Sequence, residues 1–350
     1  MEAVNLDSKA DRFNGSVEEQ YRTLAYDTAL STLLAVLVYV VVKVSLDGIR
    51  QWRARISVLI VGSGPIGLTA ALVAVRSGKV LKLTVLDERY RSALLCRPQQ
   101  IALDPRSVRF LLDLGVDFDN MEGCWHNEHF FTKIGVFQEY LLSILEQKKQ
   151  KVDVKVHLGT KFSEEYLRKI PMGEWPRVIV VADGSCGDSC SVLGISADYI
   201  VESCRAYGAN ATIERLDQRQ IMKNIFHQSF NAYKTDIESR LSELTLHHMQ
   251  CSRKLFEIML SYRRVNAAYI EGDNVAVTVE GEAARVLNFD TGCGVNFGMR
   301  GLESLGLFIY RTATALDQND VFEALSAKIQ HSRHVAETFK QTGLASAMFE

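Results

Sequence analysis

The chain has 350 residues, 47% of them hydrophobic, and a formal net charge of −2. That length supports one large domain or two moderate ones with a proper core, and the near-neutral balance argues against nucleic acid as the main partner. Its 7 cysteines are odd in number and include no Cys-x-x-Cys pair, which suits a reducing compartment better than a disulfide framework. Cys186 and Cys190 stand closest, but no second ligand pair has suitable spacing, so no metal site is expected.

Residues 1–26 are polar, with Glu18 and Glu19 and little apolar periodicity, and read as a mobile N-terminal tail. Residues 27–46 read as a transmembrane helix. No charge occurs from Ala29 to Val42, and Lys43 near the end can snorkel. The run is long enough for a hydrocarbon core of ~30 Å. It begins too far from the N-terminus for a signal peptide and lacks a small-residue cleavage site. Lys43, Arg50, Arg53 and Arg55 follow, so the positive-inside rule places the C-terminal side, and the domain that follows with it, in the cytosol. A buried core helix is the alternative; an apolar surface all the way round favours the membrane.

Ile56–Val61 is a run of β-prone residues fit for a buried parallel strand. Gly62-Ser63-Gly64-Pro65-Ile66-Gly67 follows, then an Ala/Leu/Val helix, then a strand ending at Asp87 and Glu88. Gly62 lets the chain turn off the strand, Gly64 lets backbone approach a pyrophosphate, and Gly67 lets the helix lie on the sheet. The helix start offers free N–H groups to phosphate. Asp87 or Glu88, about 20 residues on, accepts from a ribose hydroxyl. A lone G-x-G-x-x-G is weak; strand, helix and acid together point to a dinucleotide.

Arg97–Pro105 reads as a connector, Ser107–Gly115 as a short helix closed by glycine, 135–150 as a helix and 152–157 as a strand. Residues 177–184 are a buried strand ending in Asp183-Gly184. Ligands sit at such strand ends in open α/β sheets, although Asp-Gly is also an ordinary turn. Residues 206–214 read as a strand, and 216–264, without Pro or Gly, as largely helical. Within that stretch His247 and His248 point about 100° apart on a helix and read as surface. Residues 274–280 form a strand leading to Gly281-Glu282, and the glycine-rich turn Gly292–Gly298 opens another helix. Residues 320–341 read as an amphipathic surface helix with a loose end.

Three segments in this order resemble the fingerprints of the single-component FAD-dependent monooxygenases. They are Gly62-x-Gly64-Pro65-x-Gly67, Ala182-Asp183-Gly184, and Gly281-Glu282-Ala283-Ala284-Arg285 with Gly292-x-Gly294-x-Asn296-x-Gly298. The type is that of the aromatic hydroxylases, related to MICAL monooxygenase domains and ubiquinone-biosynthesis hydroxylases, and the resemblance covers about residues 56–340. It implies FAD, with NADPH or NADH as reductant. The ADP half would lie on Gly62, Gly64, Pro65, Gly67 and Asp87, with Glu88 as the alternative acid. Asp183 and Gly184 would serve FAD and the reductant. Gly281, Glu282, Gly292, Gly294 and Asn296 would hold the flavin side.

The chain departs from that pattern at four places. Glu282 stands where Asp is usual. The connector arginine is replaced by Gln99, with Arg97 two residues earlier. Gly135 occupies the helix start where an Arg or Gln touches the flavin, with Lys133 close by. The stretch between Gly184 and Gly281 is shorter than the family's substrate sheet needs.

The expected architecture is a Rossmann-like, three-layer α/β FAD-binding domain built from 55–190 and 270–310. A reduced cap at 195–270, an N-terminal transmembrane helix and a C-terminal helical tail at 311–350 complete it. Two functions fit: a membrane-anchored FAD monooxygenase acting on a lipophilic small molecule, or a flavoprotein without hydroxylase activity serving as redox sensor or scaffold. No catalytic base is assigned; Tyr207 and His227 are conceivable, each more readily structural. An NAD-dependent dehydrogenase would not require the two later fingerprints.

Overall fold

The computed structural model describes residues 7–97, 99–148, 152–210, 254–286 and 293–349. The chain divides into two compact units, Met1–Ala54 and Arg55–Glu350.

The first unit is a single helix, α1 (Asp7–Arg53). Within it Thr28–Arg50 runs for 23 residues at a mean hydropathy of 2.2, with none of the window buried. Leu33, Leu37 and Val41 are exposed on it. The segment is long and apolar enough to cross a membrane. The polar start, expected as a mobile tail, is helical from Asp7. It contains no proline and only one glycine, Gly15, and the adjoining apolar helix supplies the nucleus from which helix propagates.

In the second unit the chain runs β1 (Ile56–Val61), α2 (Pro65–Arg76), β2 (Val80–Asp87), α3 (Arg91–Leu95), β3 (Gln100–Leu103) and α4 (Pro105–Asp113). Then come β4 (Cys124–His126), β5 (His129–Lys133), α5 (Ile134–Lys148), β6 (Asp153–Leu158), α6 (Glu164–Lys169), β7 (Val178–Val181) and α7 (Ser189–Val192). The last elements are β8 (Ile200–Asn210), β9 (Lys254–Arg263), β10 (Ala267–Ile270), β11 (Val275–Val279) and β12 (Arg285–Val286), followed by α8 (Cys293–Leu302), α9 (Leu305–Thr314) and α10 (Gln318–Phe349).

The main sheet has the order β10-β11-β7-β1-β2-β6. All neighbours are parallel except the edge strand β10, which is antiparallel to β11. Alternate residues of each strand face opposite layers. Val58, Ile60, Val178 and Val180 face a core shared with Leu68 and Leu72 of α2, Leu141 of α5 and Phe308 of α9. Leu59, Val61, Ile179 and Val181 face a thinner core with Phe162, Leu167 of α6 and Cys190. Each such side chain contributes about 1.5–3 kcal/mol by leaving water. Both faces are covered, which is why β1 and β7 read as unbroken apolar runs.

Two smaller sheets differ from the sequence expectation. The connector contains β3, which pairs with β5 in a sheet ordered β3-β5-β4. The segment 254–263, expected within a helix, is strand β9, paired along its length with β8 in a sheet ordered β12-β9-β8. Its Phe256, Ile258 and Tyr262 are β-prone, and a full antiparallel ladder overrides the weak helical signal that a lack of Gly and Pro gives. The rest of that expected helix, with Tyr207's neighbour region 211–253, His227, His247 and His248, lies outside the described residues. At the C-terminus α10 runs on to Phe349, so the end expected to be loose is helical.

Candidate functional site

From β1 the chain winds outward through β2 to β6, then returns to place β7 on the other side of β1. In such sheets the crevice at this reversal, beyond the carboxyl ends of the strands, receives ligands. The three glycine-bearing motifs all lie there.

Gly62 leaves β1 with φ +100°, and a side chain on it would strike the Ala182 carbonyl at the end of β7. A side chain on Gly67 would strike the carbonyl of Gly62. Gly64 is the N-cap of α2 and Pro65 its first residue, and no side chain caps that end. The space beside Gly64 is open, with nothing within 4 Å of an added Cβ. The first-turn N–H groups are therefore left for an acceptor from outside, as a pyrophosphate site requires.

Ser63, fully buried, fixes this loop. Its amide and its hydroxyl donate to the same oxygen of Asp87, at 2.7 Å and 2.8 Å. The other Asp87 oxygen accepts from the Arg89 amide at 2.8 Å. The Ser63 carbonyl accepts from Nε2 of Gln138 at 2.9 Å. Asp87 thus already serves the loop, while the neighbouring Glu88 is exposed. Both acids line a cavity of about 150 Å³ together with Gly62, Lys161, Asp183 and Ser189.

Asp183 enters this cavity from the end of β7. Burial pushes its carboxyl up, opposed by the Ser189 amide, which donates to it at 3.2 Å. Gly184 follows with φ +89°. Arg97 is half-buried; burial pulls its guanidinium down and Arg89 adds to this, while Glu282 and Asp87 oppose it. Arg97 is therefore within electrostatic reach of acids from the first and third motifs. Gln99 is exposed, and its carbonyl accepts from the Ile134 amide at 2.8 Å. Lys133 is exposed. Gly135 is tight against the Leu95 carbonyl, leaving no room for a side chain there.

The third motif sits on the first. Gly281 has φ +63°, and a Cβ on it would lie 3.1 Å from Ile66. A Cβ on Gly298 would lie 2.5 Å from the tip of the same Ile66. Glu282 is exposed, and its Oε1 lies 3.6 Å from the position of a Cβ on Gly294. Gly294, Asn296 and Gly298, expected in a turn, are inside α8. Gly292 lies outside the described residues. Asn296 is buried with both polar ends engaged, accepting from the Asp104 amide at 3.0 Å and donating to the Ala102 carbonyl at 2.8 Å. In this structure it ties α8 to β3 and α4. Among the described residues no cluster of three His, Cys, Asp or Glu has metal-ligand geometry.

No protein-family model matches the sequence, and no curated protein matches it. Solved structures do. PqsL, a probable FAD-dependent monooxygenase from Pseudomonas aeruginosa, matches 84% of this chain over 96% of its own, with a TM-score of 0.54 and 15% identity. The flavin-dependent halogenase CmlS gives 0.52 at 15% identity, over 83% of this chain and 63% of its own. The p-nitrophenol 4-monooxygenase PnpA from Pseudomonas putida DLL-E4 gives 0.52 at 12% identity, over 83% and 88%. The fold is that of the FAD-dependent monooxygenases.

Three residues of this site carry no short-range sequence signal. Ile66 occupies a variable position of the glycine motif yet joins the first and third motifs. Gln138 is one turn inside α5 and is fully buried, with Oε1 unpartnered. Lys328 is a lysine in a helix that the sequence assigns to the surface, yet it is fully buried.

Proposed function

We propose that this chain is a membrane-anchored, FAD-dependent monooxygenase that takes electrons from NADPH or NADH and uses O₂ on a lipophilic small molecule. The convergence of Gly62–Gly67, Asp183 and Gly281–Glu282 at the carboxyl ends of neighbouring strands carries the reading. The residues fit the cofactor: an uncapped helix start opens beside Gly64, and two acids line the adjoining cavity. The fold shared with PqsL and PnpA supports it.

FAD, when bound, would supply electron transfer from the nicotinamide and the activation of O₂. The chain's residues do the rest. The α2 amides and Gly64 would take the pyrophosphate, and Glu88 or Asp87 the adenosine ribose. Asp183, which enters the cavity from the end of β7, would accept from a cofactor hydroxyl. Gly281 and Glu282 would carry the flavin-side ribityl chain. The apolar run in α1 supports anchoring, and the basic residues Arg50, Arg53 and Arg55 after it support a cytosolic catalytic unit. An anchor gives access to substrates dissolved in the bilayer.

A second reading is a flavoprotein without hydroxylase activity, acting as redox sensor or scaffold. The short stretch between Gly184 and Gly281 favours it: among its described residues, two strands, β8 and β9, pair outside the main sheet. The decisive experiment is the visible spectrum of the detergent-purified chain, followed by anaerobic NADPH. A flavin spectrum that bleaches supports an active reductase or monooxygenase. A flavin spectrum that persists supports the second reading. Absence of flavin, with reconstitution also failing, removes both.

A further inference from the structure

The end of the main sheet opposite the candidate site, where β1, β2, β7 and β11 begin, carries exposed apolar side chains. Ile56 opens β1 there, and its amide donates to the Lys79 carbonyl at 2.8 Å. The register of β1 against β2 shifts at this point, Ile56 pairing with Val80 and Ser57 with Lys82. Leu81 is left over in the bulge and is 57% exposed. Bulges commonly re-aim a side chain in this way. Two residues earlier, the Lys79 ammonium lies over the ring of Tyr310, 5.1 Å from its centroid.

Tyr310, itself 46% exposed, stands in the second half of α9. The chain then passes to α10 through Leu316, which is exposed and whose amide donates to Asp320 at 2.7 Å. Phe322, exposed at the start of α10, meets Tyr269 edge-on at 5.4 Å. Tyr269 pairs with Ala276 near the start of β11. Leu81, Tyr310, Leu316 and Phe322 therefore share one rim. The exposed charges around them are mixed, Arg55, Arg76 and Arg311 against Asp317 and Glu323. Exposed apolar residues scattered singly are ordinary; four on one rim, two of them aromatic, mark a surface that meets a partner.

The chain itself says which partner. Arg50 ends the apolar span of α1, and Ile56 opens β1. The link 51–55 between them reaches about 20 Å at full stretch. However the two units are disposed, the rim that holds Ile56 stays within that reach of the end of the span. A bilayer around the span is the apolar surface that the link holds there. Tyrosine suits its boundary, with an apolar ring and a polar tip.

We propose that this rim lies on the bilayer, with Leu81, Tyr310, Leu316 and Phe322 in the interfacial region. This depends on the anchor reading above and goes beyond it by giving the second unit a membrane-facing end. The contact is apolar and aromatic, since the charges of the rim are of both signs. The candidate cavity lies at the other end of the strands, about 20 Å away along a strand the length of β1. It therefore opens to the water in which a dinucleotide is dissolved.

The test is quenching of tryptophan emission by lipid, on the full-length chain in nanodiscs of phosphatidylcholine with or without bromine on the upper acyl chain. Trp52, exposed near the end of α1, is exchanged for Phe to remove its emission. In that background Tyr310→Trp is compared with Tyr90→Trp, the same exchange at an exposed tyrosine beyond the carboxyl end of β2. Both sites are exposed, so the fold tolerates the larger ring, and a purely structural role for either tyrosine would not bring it near bromine. A ring held about 5–10 Å into the interface is within reach of the bromines, so emission from position 310 is expected to fall about twofold. Emission from position 90 is expected to stay unchanged. Wild type less the Trp52→Phe chain reports Trp52 itself. Quenching of Trp52 without quenching at position 310, as when a second copy or a soluble protein covers the rim, overturns the proposal alone. Equal quenching at positions 310 and 90 does the same. A Trp52 that brominated lipid does not quench overturns the anchor reading and this proposal with it.

Discussion

The side chain of Ile66 fills the space that a Cβ on Gly281 would enter at 3.1 Å. This contact joins the first residues of α2 to the third motif, two segments far apart in sequence. Gly298 presses on the same side chain, at 2.5 Å from its tip. Gly298→Ala is expected to lose about 1–3 kcal/mol through overpacking, with reduced flavin content. Ile66→Val with Gly298→Ala should recover part of it, because the shorter side chain makes room. Thermal melting and bound-flavin absorbance of the singles and the double check this. Additive losses would mean that the two positions do not share one contact.

Gln138 supports the Gly62–Gly67 loop from behind through the Ser63 carbonyl. Gln138→Leu is nearly isosteric and leaves that buried carbonyl without its donor. The expected loss is about 1–3 kcal/mol, accompanied by weaker FAD binding. Ser63→Ala removes only the hydroxyl bond to Asp87 and is expected to cost less, since the Ser63 amide still holds the carboxylate. Chemical denaturation, with FAD titration in parallel, ranks the two.

Asp183 should impose a pH dependence of definite sign. Burial raises its carboxyl above the ordinary 3.8, so between the unfolded and folded values the folded state binds more protons. Its contribution to stability is then fully present below 3.8 and is lost as pH rises through the raised value. Asp183→Asn is accordingly expected to stabilise the protein more at pH near 7 than near 4, while impairing cofactor use. Urea melts at the two pH values, compared with wild type, test the sign.

Much of the main-sheet unit is legible from sequence because its signals are local. β1 and β7 are buried on both faces and read as apolar runs, and β2 ends in acid at the register that brings Asp87 to Ser63. Arg97 could be named beside Gln99, but its reach to both Asp87 and Glu282 arises only when β3 and the third motif meet. The strand character of β3 and β9 depends on partners distant in the chain, β5 and β8, so neither shows in its own window. The helical start of α1 is hidden for another reason: a polar helix without an apolar stripe has no period to detect. Gln138 and Lys328 look like surface residues until folding removes them from water.

The Glu280–Lys328 pair yields the last prediction, and it concerns the fold. Their Oε1 and Nζ atoms are 2.6 Å apart and both side chains are fully buried, so removing one leaves a charge that water cannot reach. Lys328→Met alone is expected to cost about 3–5 kcal/mol, whereas replacing both partners by neutral residues of similar size should cost far less. Gly301 adds an independent check. A Cβ there would stand 2.8 Å from the second Glu280 oxygen and 3.1 Å from Arg285. Gly301→Ala should therefore destabilise wild type by pushing that carboxylate, and should do so less in the background of Glu280→Gln with Lys328→Met. Equal losses in the two backgrounds would mean that Gly301 responds to crowding in general and not to the ionic cluster.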